Sequence, residues 1–125
     1  MDAARGWSAW VEWRIVALED IENRIATLDH SLESIEAVAD VPKLRSEIAE
    51  LEEQVAAPDL WDDQDNAQRV TSQLSAKNSE LERLVGLRSR VDDASLMLEL
   101  AQEEDDEDTA AEVVAELDKL AKDIE

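Results

Sequence analysis

The sequence predicts an all-α fold, a helical bundle of four to five helices whose longer members pack antiparallel in coiled-coil fashion. Three observations carry that expectation. Apolar residues recur at heptad spacing along much of the chain. Charged residues make up 36% and apolar ones 44% of 125 residues, with only two Gly and two Pro, the composition of long helices. β-branched and aromatic residues are scattered and never alternate over a useful length, so strands are poorly supplied. The length suits about one domain.

The first helix is marked by Val11, Leu18, Ile25, Leu32 and Ala39 at every seventh position, with Ile21, Leu28 and Ile35 between them. One narrow apolar seam results, suited to antiparallel packing. Asp40-Val41-Pro42 then interrupts it. Proline disfavours helical geometry in the residue before it, yet is tolerated in a first turn, where its missing N–H costs nothing. Asp40 is therefore expected to cap a second helix carrying Leu44, Ile48, Leu51 and Val55.

Pro58 ends that helix, and "PDLWDDQDNA" restarts the chain. Asp62 is the expected N-cap, with Asp65 three residues later in a capping-box position. Trp61 is expected to plug the junction and to be at least half buried. A long third helix follows through Ala67, Val70, Leu74, Leu81, Leu84 and Val91, its seam broken by Lys77 and Arg88. A kink or restart is expected at Asp92-Asp93, before the apolar run Leu96, Met97, Leu98, Leu100 and Ala101. Six consecutive acids, Glu103 to Asp108, read as a solvated loop. Thr109 and Glu112 form a capping box that opens the last helix, with Ala110, Val113, Leu117, Leu120 and Ile124 on one face.

Charge bounds the function. Acids number 33 against 12 bases, a formal net charge of −21, so the chain repels polyanions and anionic membranes. Cysteine is absent, which removes disulfides and thiolate metal sites. No segment has the length and apolarity to span a bilayer, and Glu12, Arg14 and Glu19 interrupt any secretory signal. A cytoplasmic protein is expected.

Nothing in the sequence assembles a catalytic constellation. His30, the only histidine, falls on the outer face of the first heptad, and no carboxylate takes an inward position where burial would raise its pKa. The glycines, Gly6 and Gly86, cannot build a phosphate loop. No enzyme activity, cofactor or metal is expected. Two groups remain as contact candidates. Lys77, Arg83, Arg88 and Arg90 gather four of the twelve bases on one stretch of the third helix. They balance surface charge, or they form a contact face for an acidic protein or an RNA phosphate. Trp7, Trp10 and Trp13, spaced three apart, staple the N-terminus to the bundle or belong to a segment without function; an exposed stripe of this kind would otherwise be a docking or aggregation site.

The order of these features resembles domain 1 of the release factor 2 family of bacterial peptide chain release factors. In that family a Pro-x-x-Trp element followed by acids and Ala-Gln joins a short helix to a long one. Here those are Pro58, Trp61, Asp62, Asp63, Ala67 and Gln68. Asp92 to Ala101, ending in Glu-Leu-Ala, the acidic run Glu103 to Asp108 and an alanine-rich closing helix match in turn. The likeness runs from about Ile21 and is strongest from Leu44 to Glu125. Residues 1–15 depart from the family's usual start and are assigned to an atypical extension of the first helix, with the domain itself over 16–125.

The resemblance implies a role in translation termination at UGA and UAA codons. It implies contact with the ribosomal stalk base, both protein and rRNA region, and interplay with the class II GTPase release factor. The family's hydrolytic Gly-Gly-Gln and codon-reading Ser-Pro-Phe motifs are not in this sequence, which has no adjacent glycines and no Phe. This chain is therefore not expected to release peptides by itself. The alternative is a generic acidic coiled-coil interaction module. Such a module has no need of Pro58-x-x-Trp61, an Asp92-Asp93 break or a capped closing helix. A nucleic-acid mimic is disfavoured because the acids are distributed around the helices.

Overall fold

The computed structural model describes the chain from residue 2, and its side chains from residue 17. Four α-helices follow in order: α1 (Asp2–Ala39), α2 (Val41–Ala56), α3 (Gln64–Glu104) and α4 (Glu107–Ile124). A single 3-10 turn, Leu60–Asp62, stands between α2 and α3. The described residues include no strand, and the all-α expectation holds. The side chains of Trp7, Trp10, Trp13 and Val11 lie outside the described residues.

The chain forms two compact units, residues 33–88 and, as the second, residues 1–32 with 89–125. In the first of these, the end of α1, all of α2 and the start of α3 share a core. Leu44, Ile48 and Leu84 are buried there, with Ile35, Ala39, Val41, Leu74 and Leu81 packed against them. A second cluster joins Leu51 of α2 and Leu60 of the 3-10 turn to Ala67 and Val70 of α3. Leu51 packs near the start of α3 while Leu44 packs near Leu84, so α2 and α3 run antiparallel. In the other unit, Ile21, Ile25 and Leu32 of α1 are buried, as are Val91, Ala94, Leu98 and Ala101 of α3 and Val113, Leu117 and Leu120 of α4. Every position in that α3 set follows its predecessor by three or four, the spacing of one helical face.

The local signals explain most boundaries. Asp40 takes the left-handed conformation at φ 54°, and its carboxylate accepts the Lys43 N–H at 3.3 Å. Pro42 sits in the first turn of α2, as its missing donor allows. Ala57 turns extended at φ −65°, ψ 130°, the geometry that a following proline imposes.

Four expectations need correction. The N-cap of α3 is Asp63, whose carboxylate accepts the Asn66 N–H at 3.2 Å; Asp62 belongs to the 3-10 turn. The Asp92-Asp93 break does not exist. Both acids fall on the exposed side of an uninterrupted α3, between buried Val91 and Ala94, and packing outweighs the weak helix propensity of Asp. The acidic run is not a loop, since only Asp105 and Asp106 lie outside the helices. Finally, α4 is capped by Asp106 and not by Thr109, because the acid one turn earlier reaches the free amide donors of Asp108 and Thr109.

Candidate interaction site

The four candidate bases on α3, Lys77, Arg83, Arg88 and Arg90, do not form one free cationic face. Lys77 reaches across to α2 and donates to Glu47 at 2.5 Å. Arg88 donates to both carboxylate oxygens of Glu36 on α1, at 2.5 Å through Nη2 and 3.3 Å through Nε. Arg90 donates to Glu116 at 2.9 Å and to Asp123 at 2.6 Å, both on α4. Arg83 is exposed.

These pairs explain how the seam of α3 tolerates charge. Lys77 and Arg88 are half-buried, with aliphatic stems along the helix interface and charged ends against carboxylates at its edge. The hydrogen bond from Lys77 holds the Glu47 carboxyl below the usual glutamate range, against partial desolvation and with help from the charges of Lys77 and Lys43. Arg90 is held still more firmly cationic by its bonds to Asp123 and Glu116. Glu36 and Glu47 lie beside the apolar positions Ile35 and Ile48, a pattern that marks seam-edge partners in the sequence. Only the fold tells which base each meets.

The junction between α2 and α3 differs from its expected form. Trp61 is 65% exposed, whereas Leu60 is 6% exposed and packs with Leu51, Ala67 and Val70. The expected plug is therefore the residue beside Trp61. The reason is geometric: Leu60 opens a 3-10 turn whose threefold repeat allows one large side chain to face the core. Pro58 and Asp62 are also exposed. Backbone bonds from Leu60 to Ala57 (3.2 Å), Asp62 to Asp59 (3.1 Å) and Ala67 to Asp63 (2.9 Å) hold the turn.

Among the described residues no catalytic geometry is evident: no polar or charged side chain is buried, and no group of three or more His, Asp or Glu is placed to hold a metal ion. His30 is exposed. Nor, among those residues, is any helix long and apolar enough to cross a membrane.

Comparison with known proteins agrees with the order of these elements. Residues 44–125 match the PCRF domain, a stretch that takes in α2 from Leu44 onward, the Leu60–Asp62 turn, α3 and α4. The chain is 49% identical over 107 residues to peptide chain release factor 2 of Streptomyces avermitilis, covering 86% of this chain and 29% of that protein. It is 51% identical over 106 residues to peptide chain release factor 2 of Salinispora tropica, covering 85% and 28%. For peptide chain release factor 2 of Beutenbergia cavernae the identity is 57% over 101 residues, covering 81% and 27%. The chain thus spans less than a third of the length of these curated relatives. With most of α2, the Pro58–Asp63 junction, α3 and α4 inside the matched region, the chain belongs to the peptide chain release factor family through its PCRF domain.

Proposed function

We propose that residues 16–125 are the helical accessory domain of a class I release factor acting at UGA and UAA codons in the cytoplasm. In this reading residues 1–15 are an atypical N-terminal extension of the first helix. The domain performs no chemistry. It holds the factor at the stalk base of the ribosome, against protein and rRNA, and takes part in its interplay with the class II GTPase release factor. The observation that carries the reading is the match over residues 44–125 together with about half identity to release factors 2 over most of the chain. The acidity agrees with a module that meets proteins more than RNA. Of the four candidate bases, Arg83 is the one best placed for an external contact, because Lys77, Arg88 and Arg90 are engaged within the bundle.

A chimera tests this. The chain replaces the matching segment of the Streptomyces avermitilis factor, and UGA-programmed termination complexes are assayed. The chimera is expected to release peptide and to turn over with the class II factor, whereas deletion of the segment impairs turnover. The isolated chain is expected to release nothing. A chimera no better than the deletion, or peptide release by the chain alone, overturns the proposal.

A further inference from the structure

We infer that the α2–α3 junction is a docking site for a basic, arginine-bearing protein segment, with Trp61 as its apolar anchor. This is independent of the bases on α3 and stands whether or not the chain serves in termination.

The first support is the indole itself. A 65%-exposed tryptophan is a large apolar surface left in water, and Val55, 37% exposed, and exposed Pro58 lie on the same short stretch. The side chain does not stabilise the fold, since Leu60 occupies the core position. Its turn is nonetheless held by the backbone bonds at Leu60, Asp62 and Ala67 and by the Asp63 cap. An aromatic residue on a held turn is preorganised, and little ordering cost remains for binding.

The second support is a hollow of about 370 Å³ at the same junction, walled by Gln54, Asp59, Leu60, Asp62, Asp63 and Asn66. Its polar walls offer three carboxylates and the Gln54 amide; the Asn66 amide oxygen already accepts from Arg69 at 2.6 Å, and Asp63 also caps α3 through the Asn66 N–H. Among the described residues none of Asp59, Asp62 and Asp63 is in an ion pair. Trp61 is not one of the walls, so cation and indole sites are separate and side by side in sequence.

Charge selects the occupant. From Ser46 to Gln68 the chain has eight acids and no Lys or Arg. RNA is repelled, and so is a second copy of a chain carrying −21. A guanidinium suits the site better than an ammonium. Its planar fork pairs with carboxylates in bidentate fashion, and a neighbouring arginine can stack on the indole.

The test uses the full chain and a short amphipathic arginine-rich peptide, with glutamate-substituted peptide and a single-stranded RNA oligonucleotide as comparators. Binding is followed by calorimetry at physiological ionic strength, and the Trp61 indole N–H by NMR. The arginine peptide is expected to bind and to shift that indole signal; the comparators are not. Trp61→Ala is expected to weaken binding on the order of tenfold while leaving the melting temperature unchanged. Asp59→Asn with Asp62→Asn weakens it similarly. Glu52→Gln with Glu53→Gln makes the same charge change at exposed positions on α2 and is expected to cost less than about twofold. The proposal is overturned by any of four results: no binding of the arginine peptide, wild-type affinity in Trp61→Ala, equal loss in both double variants, or tighter binding of RNA.

Discussion

The α2–α3 junction and the α3–α4 turn both reverse a helix among acids, and they are closed by different forces. The first spans residues 57–63 and is closed by burial: Leu60 enters the cluster of Leu51, Ala67 and Val70. The second is only Asp105 and Asp106, and is closed by hydrogen bonds. Asp105 takes φ 59°, the Asp106 N–H bonds the Ala101 carbonyl at 2.9 Å, and the Asp106 carboxylate accepts from Asp108 and Thr109. That is a Schellman-type ending fused to an N-cap, with one aspartate serving two helices. A longer connection has room to bring an apolar side chain inward. A two-residue turn does not, and must satisfy its backbone groups through polar atoms.

The largest test of this contrast is Leu60→Ala. Emptying a core position costs about 2–4 kcal/mol, so urea unfolding at neutral pH is expected to show a loss in that range. A loss near zero would show that the junction is not closed by burial.

The α3–α4 turn is expected to respond to pH instead. Hydrogen bonds from the Thr109 hydroxyl and backbone, then from the Asp108 amide, hold the Asp106 carboxyl below its ordinary value despite some desolvation. A carboxyl whose pKa is lowered by folding contributes stability that is complete above its unfolded pKa. That contribution fades as pH falls through the folded pKa. Asp106→Ala is therefore expected to melt lower than wild type at neutral pH, by less than Leu60→Ala. The gap should narrow as pH drops below about 4. A gap independent of pH would remove the ionised cap from the explanation.

The smallest effect is expected at Trp61. Trp61→Ala should change the unfolding free energy by no more than about 0.5 kcal/mol, as for surface substitutions generally. Beside Leu60→Ala, it separates by one residue the side chain that closes the junction from the one presented outward.

Much of this was legible in one dimension. The 3–4 spacing that predicted α2 and α4 places Leu44, Ile48, Leu51, Val113, Leu117 and Leu120 in the core. Asp40 with Pro42 marked the α1–α2 boundary because proline and capping chemistry act on their near neighbours. Competing neighbours were harder. Asp62 and Asp63 are chemically identical candidates for one cap, and Asp106 and Thr109 are both good caps. Which is used depends on where the preceding helix ends. Asp92-Asp93 looked like a break because propensity weighs residues singly, whereas α3 is held by the face it buries.

By itself, then, the amino-acid sequence determined the all-α class, the helices' apolar faces and the junction that marks the release factor family. The first two follow from periodicity and short-range backbone chemistry, whereas the junction marks the family only through its resemblance to known release factors. Tertiary structure alone decided that Lys77 meets Glu47 and Arg88 meets Glu36, and that Leu60 goes in while Trp61 stays out. Such choices depend on side chains far apart in the chain competing for the same volume, and local sequence carries no record of that competition.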